Sequence, residues 1–325
     1  MKTYDRVIVW RVTQRCNMNC LFCSYAYGVN RKRDDADANE IIRVCNVLKQ
    51  HIKQNDKKIL ISWIGGEPFL YADIFRLSEI CKSYGIDIST TTNGLLLHTN
   101  EIRQRLIDNF SEIVFSLDGF SACHDRIRQN EGAFVKTSNA ISDLCKQKAV
   151  CKSDLSVKVN TILLRENIDY FQEFCNYLIN LGVNALTFNQ LGGFDRPEFY
   201  EQNRLLPEQV EKFAQNFAKI KHNCNMKGLK IHGGKLYIER IRASTKNKKI
   251  PEESCQPGEW FWFINENGFI SPCSYTSYEY KLPTTALQNT SDLDGSKEFF
   301  RKAQKESRSN WCDDCHCTQN NDKFC

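Results

Sequence analysis

Between residues 7 and 220 short apolar runs repeatedly give way to apolar stripes at helical spacing, and this repetition limits the chain more than any other feature. The runs fall at residues 7–12, 59–64, 86–91, 113–117, 157–163 and 185–189. Stripes such as Ile41, Ile42, Cys45, Leu48 and Ile52, or Phe171, Phe174, Cys175, Leu178 and Leu181, turn one helical face towards a core. Asp37 ahead of Glu40 marks a helix start, and Pro207 suits the first turn of another. Short strands each followed by a helix predict a parallel sheet with helices outside it. Polar turns follow the strands: Gly65-Gly66-Glu67-Pro68, Thr92-Asn93-Gly94, Asp118-Gly119 and Gly192-Gly193. Such turns are where α/β folds place ligands. The pattern alone does not separate an open barrel from a flat doubly wound sheet.

The first run ends at Cys16, Cys20 and Cys23, spaced C-x3-C-x2-C. Four thiolates complete an ordinary iron–sulfur or structural zinc site, so three local ones point to a cluster with one iron left open. The chain holds 16 cysteines and no long uncharged apolar run, and with the first apolar run beginning almost at once no signal peptide is expected. A cytoplasmic, reducing location and metal ligation in place of disulfides are therefore expected, with no membrane association. The formal charge of +5 treats every thiol as neutral; two clusters would lower it to about +2. A nucleic-acid partner is not expected.

At 325 residues the chain is long for one domain. The strand–helix rhythm breaks near Gly228, and cysteine, aromatic and turn residues dominate from Cys255 onward. Two domains are expected, residues 1–235 and 236–325, the second containing Cys255, Cys273, Cys312, Cys315, Cys317 and Cys325. Trp260-Phe261-Trp262-Phe263 reads as apolar core of that segment. Cys45, Cys81, Cys145 and Cys175 sit at core spacing and read as small buried hydrophobes.

The cysteine motif, the Gly-Gly-Glu-Pro turn and the βα rhythm, in that order over residues 5–235, resemble the radical S-adenosylmethionine (SAM) superfamily. The resemblance implies a partial (β/α)6 parallel barrel. It also implies that Cys16, Cys20 and Cys23 hold a 4Fe–4S cluster whose fourth iron chelates the amine and carboxylate of SAM. Phe22 would lie near the adenine. The backbone and carboxylate of Gly65, Gly66, Glu67 and Pro68 would hold the methionine amine, glycine allowing close approach. Ser116 and Asn160 would contact the ribose or carboxylate. Arg128, in His124-Asp125-Arg126-Ile127-Arg128, would pair with the carboxylate or lie on a helix surface. Asn93 would contact the cofactor or only shape its turn.

The second segment resembles the SPASM and Twitch extensions of this superfamily, which bind auxiliary clusters. Gly268-x4-Cys273 and Cys312-x2-Cys315 match their elements, and Cys255 precedes them at a compatible distance. One auxiliary 4Fe–4S cluster on Cys255, Cys273, Cys312 and Cys315 is implied, with Cys317 as an alternative ligand. The full SPASM spacing is not met, and a zinc ribbon using His316 is the plainer alternative.

The resemblance implies reductive cleavage of SAM, with electrons from a flavodoxin or ferredoxin, to a 5′-deoxyadenosyl radical that takes a hydrogen atom from an unactivated carbon. Electron loss then gives oxidation or a crosslink; hydrogen return gives epimerisation. Cys123 and Cys224 are the candidate hydrogen donors for the second outcome. Relatives with such extensions mostly modify ribosomal peptides, so a peptide substrate leads. No leader-binding domain is expected ahead of the first strand, which would place peptide capture at the barrel mouth, the second domain or a separate protein. A small-molecule dehydrogenase resembling the Twitch-bearing aminocyclitol enzyme is the alternative. A non-catalytic iron–sulfur or zinc protein is the alternative from another class.

Overall fold

The computed structural model describes residues 4–23, 34–192, 196–251, 256 and 258–315. The expected alternation is present. Strands β1 (Arg6–Thr13), β2 (Ile59–Gly65), β3 (Asp87–Thr92), β4 (Glu112–Ser116), β5 (Ser156–Leu163), β6 (Ala185–Gln190) and β7 (Lys230–Ile231) pair in parallel in chain order. Helices α1 (Ala38–Asn55), α2 (Ile74–Ser83), α3 (Asn100–Asn109), α4 (Ser121–Arg128), α5 (Ala133–Val150), α6 (Phe171–Leu181), α7 (Pro197–Asn203) and α8 (Pro207–Met226) lie between them. Asp37 caps α1 by accepting a hydrogen bond from the Asn39 amide at 2.9 Å, and Pro207 opens α8.

Both faces of β1 are buried, and they serve different purposes. Ile8, Trp10 and Val12 join the outer core under the helices, together with Trp63, Ile88, Phe115 and Leu186. Val7 and Val9 face inward with Leu60, Phe261 and Phe263. Inward residues of β1 through β7, with Phe263, line a single cavity, so the sheet curls into a partial barrel. Cys45, Cys81, Cys145 and Cys175 are buried in the outer core, as small apolar side chains would be.

After α9 (Lys235–Thr245) the chain returns to the same sheet. β8 (Phe261–Ile264) pairs in parallel with the free edge of β1, Val7 opposite Phe261 and Trp10 opposite Ile264. β9 (Phe269–Ser271) and β10 (Leu282–Pro283) add antiparallel strands, giving the order β10-β9-β8-β1-β2-β3-β4-β5-β6-β7. Helices α10 (Ser291–Glu306) and α11 (Asn310–Asp313) follow. The boundary placed near Lys235 therefore falls at a helix start, and the sheet runs across it. The aromatic run splits by strand alternation: Trp262 faces the outer core, Phe261 and Phe263 the inner.

Trp262 is wholly buried and its indole donates to the Gly258 carbonyl at 3.1 Å. Trp262→Ala is expected to cost about 3–5 kcal/mol through lost burial and the cavity left behind. Denaturant unfolding measures this, and a loss below about 1 kcal/mol would show that β8 contributes little to the sheet.

Candidate functional site

The cysteine loop leaves the end of β1 and is fastened at four points. The Gly66 amide donates to the Thr13 carbonyl at 2.9 Å, and the Glu67 amide to the Arg15 carbonyl at 2.7 Å. The Asn93 side-chain amide donates to Asn17 Oδ1 at 2.7 Å, and the Leu21 amide to the Ile127 carbonyl at 2.8 Å. A Cβ on Gly65 would collide with the Thr13 carbonyl, and one on Gly66 with the Arg15 carbonyl while lying 2.9 Å from Cys16 Cβ. The glycines are thus required for contact with the loop backbone itself.

Glu67 takes a different part from the one expected. It is wholly buried, and its carboxylate accepts from Thr92 Oγ1 and the Asn93 amide at 2.8 Å each, and from the Phe69 amide at 3.3 Å. Neither Glu67 nor Pro68 borders the cavity. The carboxylate locks the β2 and β3 turns together instead of facing a ligand amine. Burial pushes it up to about 7, against those three hydrogen bonds.

The barrel cavity has a volume of about 640 Å³. Cys16, Cys20 and Cys23 border it at the carboxyl end of the sheet, with Phe22, Gly65, Gly66, Asn93, Ser116, Arg128 and Asn160. Ser116 and Asn160 are register partners on β4 and β5, and Asn160 Oδ1 accepts from the Asn189 side chain at 2.7 Å. The cavity continues to the other strand ends, where Glu112 and Lys158 form an ion pair beside Ser156, Asn184 and Lys230. Sequence reasoning missed that half. Strand alternation could have found it, because Glu112 shares an inward face with Ser116 and Lys158 shares one with Asn160.

Arg128 is buried and is not a surface residue. Its Nε and Nη2 each meet Asp118 Oδ2 at 2.7 Å, Nη1 donates to Cys20 Sγ at 3.9 Å, and its Cζ lies 5.0 Å from the Phe22 ring centroid. Asp118 Oδ1 accepts from the Ile162 amide at 2.9 Å. Burial raises the Cys16 thiol and pushes Cys20 up to about 11, with further raising by neighbouring thiols.

The two candidate hydrogen donors do not reach the cavity. Cys123 packs among Ile127, Leu164, Leu191 and Phe199, and burial pushes its thiol up to about 12. Cys224 lies within α8, in the outer core against Cys175. The α8 stripe runs on to Cys224, which turns that thiol away from the barrel interior.

In the C-terminal segment Cys273, Cys312 and Cys315 lie near one another: burial raises Cys273 and pushes Cys312 up to about 11, with further raising from the neighbouring thiols. Cys273 packs against the inner apolar cluster, and its neighbour Ser274 borders the barrel cavity. The Cys315 amide donates to the Ile250 carbonyl at 2.9 Å, tying the chain back beneath α9. Cys255 and Cys317 lie outside the described residues. Among the described residues no three His, Cys, Asp or Glu side chains close round a single-ion point. Cys16, Cys20 and Cys23 instead border a common space, which fits a multi-atom inorganic core better than one ion.

A parallel partial barrel with three thiols at the carboxyl end of its strands, above a ligand-sized cavity, defines a class of cluster-dependent enzymes. The chain belongs to the radical SAM superfamily, whose family model matches residues 10–178. Curated relatives include an AdoMet-dependent heme synthase of Oleidesulfovibrio alaskensis, 26% identical over 83% of this chain and 70% of its own. The mycofactocin maturase MftC of Mycobacterium tuberculosis is 25% identical over 95% and 75%. Among solved structures, Streptococcus suis SuiB superposes with a TM-score of 0.66 at 16% identity, over 92% of this chain and 66% of that one. AdoMet-bound anSMEcpe gives 0.66 at 17% identity, over 95% and 88%. Membership of the family implies SAM and a 4Fe–4S cluster. No helix among the described residues is long and apolar enough to cross a membrane.

Two outcomes follow. Gly66→Ala is expected to lower iron uptake on anaerobic reconstitution at least about threefold, because the loop must move off its backbone contacts; parental iron content would show that the contact is dispensable. For Glu67, a folded-state value near 7 against an ordinary value near 4.3 means the folded protein holds the proton more tightly. Its stabilising contribution is full below the unfolded value and is lost as pH rises through about 7. Glu67→Gln should therefore lose less Tm between pH 5 and pH 8 than the parent, and an equal loss would refute the assignment.

Proposed function

We propose that this radical SAM enzyme modifies a ribosomally made peptide, with oxidation or crosslinking as the outcome. One observation carries the reading: the thiols of the first motif and the wall beside Cys273 border a single cavity. Cys16, Cys20 and Cys23 would hold the 4Fe–4S cluster. Gly65, Gly66, Asn93, Ser116 and Asn160 line the space in which SAM would lie. Cys273, Cys312 and Cys315, with Cys255 and Cys317 as the remaining candidates, would hold one auxiliary cluster. When bound, the first cluster and SAM supply a 5′-deoxyadenosyl radical for hydrogen abstraction, and the auxiliary cluster supplies an electron acceptor.

The chain's own residues orient and enclose the reactants. Asn93 is held at both ends, by Glu67 and by Asn17, and so presents a rigid polar surface to the cavity. Val9, Leu60, Ile64 and Phe263 give an apolar wall that limits water access. The Glu112–Lys158 end is left for the substrate. Oxidation is preferred to epimerisation because neither Cys123 nor Cys224 borders the cavity as a hydrogen donor must. The peptide class is supported by the maturases among the relatives, MftC and the Bacillus subtilis sporulation killing factor maturation protein SkfB. A small-molecule substrate is the second reading, favoured by the heme synthases in the same set.

Reconstituted protein should bind about eight irons per chain, falling to about four in Cys312→Ala/Cys315→Ala. About four in both would remove the auxiliary cluster. Reduced enzyme should release 5′-deoxyadenosine from SAM, and Cys20→Ala should abolish this; continued release would mean that the first motif is misassigned. A precursor peptide encoded beside the gene should lose two hydrogens on turnover. A mass unchanged in ordinary water and raised by one deuterium in deuterated water would point to epimerisation instead.

A further inference from the structure

Resting on the cluster assignment above, we infer that Arg128, aimed by Asp118, raises the reduction potential of the cluster at Cys16, Cys20 and Cys23 by fixing a positive charge against Cys20. The geometry is specific. Asp118 takes Nε and Nη2, which satisfies the ion pair, and Nη1 is left pointing at Cys20 Sγ. Asp118 cannot turn away, because its second oxygen is held by the Ile162 amide and its own amide donates to His124 Nδ1 at 3.1 Å. Pair and thiol are all buried, so water does little to weaken the field. The pair is neutral as a whole yet oriented, with its positive end on the thiol.

Asp118 pairs this charge and Glu67 lies within its field, so what acts on Cys20 is an oriented pair and not a lone cation. Burial keeps His124 neutral, pushing it down to about 4, so it adds no second cation. The Leu21 amide donates to the Ile127 carbonyl, which fixes α4 to the cysteine loop independently of the guanidinium. Cluster reduction adds one electron and hence one negative charge. A cation held beside a ligating sulfur favours that more negative state. Arg128 is on this account a positioning residue whose contribution is electrostatic, and its guanidinium is already committed to Asp118 and Cys20.

The test uses the full chain carrying Cys312→Ala and Cys315→Ala, so that only the first motif holds a cluster. It is reconstituted anaerobically with iron and sulfide and titrated without SAM under electron paramagnetic resonance. At the potential that half-reduces this parent, Arg128→Gln should raise the oxidised-to-reduced ratio at least about threefold, and Asp118→Asn/Arg128→Gln should raise it by a smaller factor, because the opposing charge goes too. About threefold is what one unit charge roughly 6 Å away gives even when screened as in bulk water. Arg128→Lys should recover part of the shift, keeping the charge without the two-point hold on Asp118. The double variant removes both charges, so the test remains decisive where the single Gln variant misfolds with Asp118 unpaired. Parental potential in the double variant at parental iron content, or a Lys variant as displaced as the Gln variant, would overturn the inference. A parent that takes up no iron would overturn the cluster assignment beneath it.

Discussion

Close contact between two stretches of backbone, the Gly65–Gly66 turn and residues Thr13 to Arg15, underlies the rest of the site. Two amide-to-carbonyl hydrogen bonds and the absence of side chains at the glycines hold the strand ends of β1 and β2 together where the cysteine loop departs. The second layer depends on this one. Glu67 follows directly and turns inward to collect Thr92 and Asn93, and Asn93 in turn reaches Asn17 in the loop. Three consecutive strands are thereby joined to the thiols through polar contacts that are mostly buried and individually satisfied.

The other side of the loop is governed by α4. Asp118 at the end of β4, Ile162 on β5 and Arg128 on α4 converge beneath Cys20. Strand ends on both flanks therefore determine where the thiols sit. This is the usual advantage of the carboxyl end of a parallel sheet: rigid strands deliver polar turn residues to one place from many points in the chain.

Much of this was legible in the sequence because it rests on local patterns. The strand runs, the helix stripes, the Asp37 cap and the three thiols each announce themselves within a few residues. Other features depend on which way a strand faces. Nothing near Glu112 or Lys158 marks them as cavity residues; only their parity with Ser116 and Asn160 does, and parity has meaning once those partners are placed. Cys224 lies one helical turn beyond Ile220 on the buried stripe of α8, and that turn carries it into the outer core. Glu67 carries a motif whose residues are easily recognised, yet its carboxylate direction is settled by Thr92 and Asn93, far away along the chain. The return of β8 to β1 was illegible for the same reason, since strand pairing across some 250 residues leaves no local trace.

That pairing has a consequence for biosynthesis. β1 is made well before its partner β8, so one of its edges remains uncovered until residues 261–264 have been made. Until then an apolar strand ending in three reactive thiols exposes unpaired backbone to any neighbouring strand. Stable enclosure of the thiol loop therefore comes late. Iron loading is best timed after residues 261–264 have been made, and anaerobic co-expression with cluster-assembly machinery should favour the native barrel over aggregates seeded by that edge.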